Sequence, residues 1–168
     1  AMMALNRLDM VKPILDFVES GRPFMGICLG MQLLMSESEE FGKYAGLNVF
    51  EGRVIKFPVK IGKDKTISKV PQVGWNKIQK PSHVNESFWS NSPLNGISEG
   101  EFMYFVHSYY CKLENNDAVL SVTRYADIDY CSSVSWKNVF ACQFHPEKSA
   151  AEGLKIYKQW SSVIKPKQ

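Results

Sequence analysis

Cys28 stands in Gly26-Ile27-Cys28-Leu29-Gly30, and Phe144-His145-Pro146-Glu147 follows far down the chain. A thiol, an imidazole and a carboxylate are the parts of a nucleophile, its base and the group that orients the base. Small residues on both sides of a cysteine allow the tight strand-to-helix turn that exposes a nucleophile in α/β hydrolases, because glycine has no Cβ to clash. Taken alone, a free cysteine is better read as a small buried hydrophobe. His145 precedes Pro146, which pushes it toward extended backbone. Residues two apart in extended chain point the same way, so Glu147 can reach the His145 ring. The competing reading is a capping glutamate beside an incidental histidine. If the three groups meet, His145 takes the Cys28 proton or holds it as an ion pair. A helix N-terminus and an imidazolium would both lower the thiol from about 8.5.

The elements around Cys28 support that chemistry. Leu5, Leu8, Val11, Leu15 and Val18 recur at helical spacing and predict one helix over the first twenty residues, ending at Gly21. Pro13 kinks it or marks a late start. Pro23–Ile27 reads as a short buried strand. Met31–Met35 begins a helix that turns acidic at Glu37, Glu39 and Glu40. Leu47–Phe50 and Arg53–Phe57 read as short strands parted near Gly52, Ile61–Ser68 as an exposed hairpin or loop, and Val73–Ile78 as a segment around Trp75. Residues 80–100 carry Pro81, Pro93, Gly96 and Gly100 and read as connecting loops. Phe102–Val106, Ala118–Tyr125 and Val139–Phe144 are strand candidates rich in aromatic and β-branched residues. Glu152–Ile164 is a final helix with Leu154, Tyr157, Trp160 and Ile164 on one face.

The 168 residues suffice for one domain with a real core, and 45% hydrophobic with 22% charged residues is ordinary for a globular chain. A net charge of +3, scattered apart from a mildly basic stretch at Lys56–Lys69, does not argue for a nucleic-acid partner. Cys28, Cys111, Cys131 and Cys142 form no C-x-x-C pair and no zinc-ligand spacing. No signal peptide or membrane-length apolar run is present, so reduced thiols in the cytoplasm are the simplest reading. No metal or organic cofactor is implied. Of the remaining histidines, His83 reads as a surface residue and His107 as a satisfied buried one.

Gly26-Ile27-Cys28-Leu29-Gly30-Met31-Gln32 with Phe144-His145-Pro146-Glu147-Lys148-Ser149 closely resembles the class I (triad) glutamine amidotransferases. Pro71-Gln72-Val73-Gly74-Trp75-Asn76 and Tyr104-Phe105-Val106-His107-Ser108-Tyr109 resemble, within that family, the glutaminase subunits of imidazole glycerol phosphate synthase. The resemblance implies a single domain over 1–168. Its α/β fold would be the three-layer, flavodoxin-like amidotransferase fold with a mixed, mainly parallel central sheet. It implies Cys28 as nucleophile, His145 as base, Glu147 as third member, the Leu29 backbone N–H as an oxyanion donor, and Gln32, Ser108 and Tyr109 as contacts for L-glutamine. It also implies a (βα)8-barrel cyclase partner that receives the ammonia, docked near Trp75, Asn76, Tyr104 and Lys148, in histidine biosynthesis. For those four, the bland readings are a core Trp, a turn Asn, a strand aromatic and a surface Lys.

The family carries an opening strand and a glycine-rich oxyanion loop before the first helix seen here. Neither is in this sequence, so it reads as lacking its first β–α units. One missing oxyanion donor costs roughly 10²–10³ in rate. Low stability and activity are therefore expected of these residues alone. Gln72 replaces a histidine common in the family pattern, which keeps open a paralogue that amidates bacterial surface sugars. Two further readings stay open: a docking subunit without catalysis, and a different thiol hydrolase on a similar fold.

Overall fold

The computed structural model describes residues 1–59 and 69–164, so the expected Ile61–Ser68 hairpin lies outside the described residues. The opening helical pattern divides into α1 (Met2–Arg7) and α2 (Val11–Glu19), with Asp9 at φ 53 between them. Pro13 lies in the first turn of α2, where a missing N–H has no intrahelical partner to lose. β1 (Phe24–Ile27) leads through Cys28 into the short helix α3 (Leu29–Leu33). The predicted acidic continuation of that helix is instead strand β2 (Met35–Ser38), in which Glu37 lies opposite Arg53 on one side and Ala45 on the other. Sheet pairing overrides the local helical pattern there, because Met35 is buried and the neighbouring strands satisfy the backbone.

β3 (Tyr44–Ala45) is an edge strand, and β4 (Phe50–Lys56) is one continuous strand. Gly52 does not interrupt it; a Cβ there would lie 2.8 Å from the Lys112 carbonyl oxygen, so the glycine permits close strand packing. β5 (Gln72–Lys77) and β6 (Phe102–His107) pair antiparallel as a separate two-stranded sheet. Between them lies the short helix α4 (Glu86–Ser90), capped by Asn85, whose side-chain oxygen accepts from Phe88 N–H at 2.8 Å. β7 (Tyr109–Leu113), β8 (Val119–Tyr125), β9 (Ile128–Trp136) and β10 (Val139–Cys142) follow. A 3₁₀ turn (Pro146–Lys148) and α5 (Ala150–Ile164) end the described chain.

The main sheet runs β1-β10-β9-β7-β4-β2-β3, with β8 beside β9. Among the described residues only β1–β10 and β2–β4 pair parallel; the remaining pairings of this sheet are antiparallel. The expectation of a mainly parallel sheet is corrected accordingly. Short connections are the reason. Ala126 and Asp127, both at positive φ, turn β8 into β9, and Lys137 at φ 52 helps turn β9 into β10. Two-residue turns with positive φ join antiparallel neighbours, whereas parallel ones need long crossovers.

Each sheet face carries a core. Tyr110, Tyr130, Phe140 and Cys142 belong to one cluster, while their chain neighbours Cys111, Cys131, Val139 and Ala141 belong to the other. That alternation is the period-two geometry of a strand buried on both faces. Val11, Ile14, Leu15 and Val18 of α2 pack on the second cluster, and Ile156 of α5 on the first. On α5 the expected apolar face is displaced: Gly153 and Ile156 are buried, while Leu154 is 53% exposed. A Cβ at Gly153 would stand 2.1 Å from the Pro146 carbonyl oxygen, so the missing side chain lets α5 sit directly on the 3₁₀ turn.

Candidate active site

The parallel pair β1–β10 brings the two halves of the site together. Its register sets Ile27 beside Cys142, and Cys28 N–H donates to the Cys142 carbonyl at 2.7 Å. Both strands therefore end at the same edge, where ligand sites of parallel sheets form. Cys28 turns the chain into α3 with φ 50 and ψ −103, a conformation costly for any residue with a Cβ. A Cβ at Gly26 would lie 3.0 Å from the Gly30 carbonyl carbon, so the first glycine of the motif makes the tight turn possible. Three residues beyond β10, His145 is extended at φ −104 and ψ 96, as the following proline requires.

His145 Nδ1 lies 2.6 Å from Glu147 Oε1, and Tyr157 donates to Glu147 Oε2 at 3.4 Å. The carboxylate accepts, so Nδ1 carries the proton and Nε2 is the basic nitrogen. Nε2 is buried and has no hydrogen-bond partner among the described residues. The backbone of His145 is clamped to β6: its N–H donates to the Tyr104 carbonyl at 2.9 Å. Ser149 Oγ closes the clamp by donating to the His145 carbonyl at 2.7 Å and accepting from Tyr104 N–H at 2.9 Å.

The electrostatics differ from expectation at one point. Burial pushes the Cys28 thiol up from its ordinary value, and hydrogen bonds from the Leu29 N–H and the Gln143 amide oppose it without prevailing. The helix N-terminus acts as predicted, but a thiol shielded from water is favoured over an isolated thiolate. Glu147 is partly desolvated, yet its bond with His145 and further contacts hold its carboxyl below the usual range. Burial, followed by the Glu147 charge, raises Tyr157 to about 12, which keeps it a neutral donor.

Gln32 is buried rather than solvated: its Nε2 donates to the Tyr109 carbonyl and to Gln143 Oε1, both at 3.0 Å. Gln143, fully buried, donates to Cys28 Sγ at 3.5 Å and so joins the site without having been predicted. Its sequence signal was the lone amide in the apolar run Val139–Phe144. Leu29 and Gln32 line a cleft with Met2, Glu40 and Tyr44. Glu40 lines that cleft without having been predicted, and nothing in its local sequence marks it. Tyr109 meets the site through its carbonyl, whereas Ser108 lies where the chain leaves β6 for β7, its own carbonyl accepting from Phe57 N–H.

His107 is a buried structural group. Its Nδ1 lies 2.7 Å from the Tyr109 carbonyl and its Nε2 3.3 Å from Tyr130 Oη, whose hydroxyl reaches Gln72 Oε1 at 3.0 Å. Burial is the main reason it is lowered to about 4. His83 is an exposed loop residue whose Nε2 lies 3.2 Å from the Val119 carbonyl.

The expected docking residues gather on the β5–β6 pair. Trp75, 52% exposed, lies opposite Tyr104 in register with ring centroids 6.1 Å apart, and Lys148 Nζ lies 5.9 Å from the Tyr104 ring. Val73, Phe102 and Val106 extend an exposed apolar face around them. Asn76 is set apart from that group: its Nδ2 donates to the Arg124 carbonyl at 3.0 Å and ties the pair to β8.

A family model described as glutamine amidotransferase class-I matches residues 5–160, and the chain belongs to that family. Within it, the chain is similar to proteins named imidazole glycerol phosphate synthase subunit HisH. That of Syntrophotalea carbinolica is 46% identical over 155 residues, covering 91% of this chain and 70% of the relative. That of Chlorobium chlorochromatii is 41% identical over 164 residues, covering 97% of this chain and 75% of the relative. Among solved structures, a glutamine amidotransferase of Thermotoga maritima superposes with a TM-score of 0.55 at 18% identity, covering 91% of this chain and 51% of that one. A further solved glutamine amidotransferase gives 0.58 at 16% identity, covering 95% of this chain and 70% of that one. At that identity the likeness is one of fold: a mixed α/β amidotransferase domain. Among the described residues no helix is long and apolar enough to cross a membrane.

Proposed function

We propose that this chain is the HisH-type glutaminase subunit of an imidazole glycerol phosphate synthase, acting in the cytoplasm in histidine biosynthesis. The observation that carries the mechanism is the seating of Cys28 and the His145–Glu147 pair at the shared end of β1 and β10. His145 Nε2 accepts the thiol proton as Cys28 Sγ attacks the side-chain carbonyl carbon of L-glutamine. The Leu29 N–H supports the oxyanion. Collapse breaks the C–N bond, His145 returns the proton to the leaving nitrogen, and ammonia departs from a thioester on Cys28. Water, deprotonated by His145, then cleaves the thioester to glutamate and restores the thiol. Glu147 holds the Nδ1–H tautomer throughout.

Gln32, Ser108 and Tyr109 bind the amino-acid part of glutamine. Glu40 meets the α-ammonium group, a role supported by its place in the lining of the same cleft as Leu29 and Gln32. The apolar face of β5–β6, with Trp75, Tyr104 and Lys148, docks a (βα)8-barrel cyclase of the HisF type, which consumes the ammonia. Asn76 braces that face. We read residues 1–168 as one domain of the three-layer, flavodoxin-like kind, a reading supported by a core on each sheet face.

Glutamine hydrolysis by the full-length protein with its cyclase tests the reading. Cys28→Ser abolishes turnover. Glu147→Gln, which can donate to Nδ1 and so place the proton on Nε2, lowers kcat by roughly 10²–10⁴, the span of general acid–base catalysis. Full activity in Cys28→Ser would overturn the assignment.

A further inference from the structure

We propose that Gln143 is a positioning residue that sets the Cys28 sulfur and the Gln32 amide with the two ends of one side chain. This rests on the reading of Cys28 as nucleophile. The Gln143 carboxamide is fully buried, its Nε2 donating to Cys28 Sγ at 3.5 Å and its Oε1 accepting from Gln32 Nε2 at 3.0 Å. Its own place is set by the sheet, since its backbone N–H donates to the Ser132 carbonyl at 2.9 Å as β10 ends. An amide cannot be reversed here without facing Gln32 Nε2 with another donor, so the pairing with Gln32 dictates that a donor faces the sulfur.

Gln32 is fixed in the same way. Both hydrogens of its Nε2 are committed, to Tyr109 and to Gln143, which leaves Oε1 as the group it offers to the cleft. Gln32 thus presents an acceptor, suited to an N–H of the substrate. Gln143 enforces that polarity while favouring the anionic form of the sulfur against the cost of burial.

The test is the pH dependence of Cys28 alkylation by iodoacetamide, read by mass spectrometry in the full-length protein, alongside kcat and KM for glutamine. Cys111, Cys131 and Cys142 are buried and provide the unreactive background. Gln143→Met removes both contacts. We expect the Cys28 profile to move up by about one unit, a loss of about tenfold in alkylation rate near neutrality, with a raised KM. Gln143→Glu keeps the acceptor for Gln32 but sets a carboxylate against sulfur, so the profile moves up while KM stays near wild type. If the Gln143 variants do not fold by circular dichroism, Gln32→Met decides, because it frees the far end of Gln143 and moves the profile in the same direction by less. An unmoved Cys28 profile overturns the inference. An unmoved profile with an inactive Cys28→Ser variant defeats this inference alone, whereas an active Cys28→Ser variant defeats the nucleophile reading.

Discussion

At the scale of single residues, the site is an arrangement of few protons with assigned places. His145 holds one on Nδ1 against Glu147, which leaves Nε2 free, and burial keeps the Cys28 thiol protonated at rest. Under the proposed mechanism, proton transfer to His145 then accompanies attack instead of preceding it. His107 is an imidazole that burial keeps neutral. Its folded value of about 4 lies below the ordinary 6.5, so the unfolded chain binds the extra proton first as pH falls. Stability is fully present above about pH 6.5 and declines as pH falls toward 4, by on the order of 3 kcal/mol for a shift of that size. Urea unfolding at about pH 7 and about pH 5 should show a steeper loss in wild type than in His107→Gln. Equal losses would remove His107 as the titrating group. The pairing of His145 with Glu147 and the buried place of His107 were legible in the sequence. Glu40 was not, and Gln143 stood out only as a lone amide in an apolar run, because what such a side chain meets is set only once distant strands surround it.

At the scale of elements, the site depends on how the 3₁₀ turn is held. Ser149 ties His145 to Tyr104 on β6, and α5 presses on the turn at Gly153. Gly153→Ala places a methyl group 2.1 Å from the Pro146 carbonyl oxygen, backbone that cannot yield without moving the turn. Overpacking of this kind costs about 1–3 kcal/mol. Thermal unfolding should register it, and turnover should fall with it because the turn carries His145 and Glu147. Unchanged stability would show that α5 adapts freely. Strand periodicity marks β1, β6, β8 and β10, whereas β7 and β9 carry no such signal and β2 follows on from a helical pattern. β2 is too short for period alone to separate it from the preceding turns of α3, and sheet neighbours made the choice.

At the scale of the whole molecule, the exposed β5–β6 face and the clamp on His145 meet at one backbone segment. Tyr104 displays its ring on the exposed β5–β6 face while its N–H and carbonyl engage Ser149 and His145. A cyclase seated on that face would therefore press on the strand to which His145 is clamped. Trp75→Ala should weaken association by about 2 kcal/mol or more, the loss usual for a central aromatic anchor, and leave the fold intact. Calorimetric titration of the variant with the cyclase checks this; an unchanged Kd would place docking elsewhere.

Residue order alone sufficed for three features: a cysteine on a glycine-flanked turn, a histidine forced extended by proline, and a glutamate two residues on. Those are local properties of residue type and spacing. Only the tertiary structure decided that the sheet is mostly antiparallel, that Gln32 is buried and anchored, and that Gln143 lies between it and the sulfur. Each follows from strand register between distant segments, above all β1 against β10, and register is set by which side chains fill the two cores together.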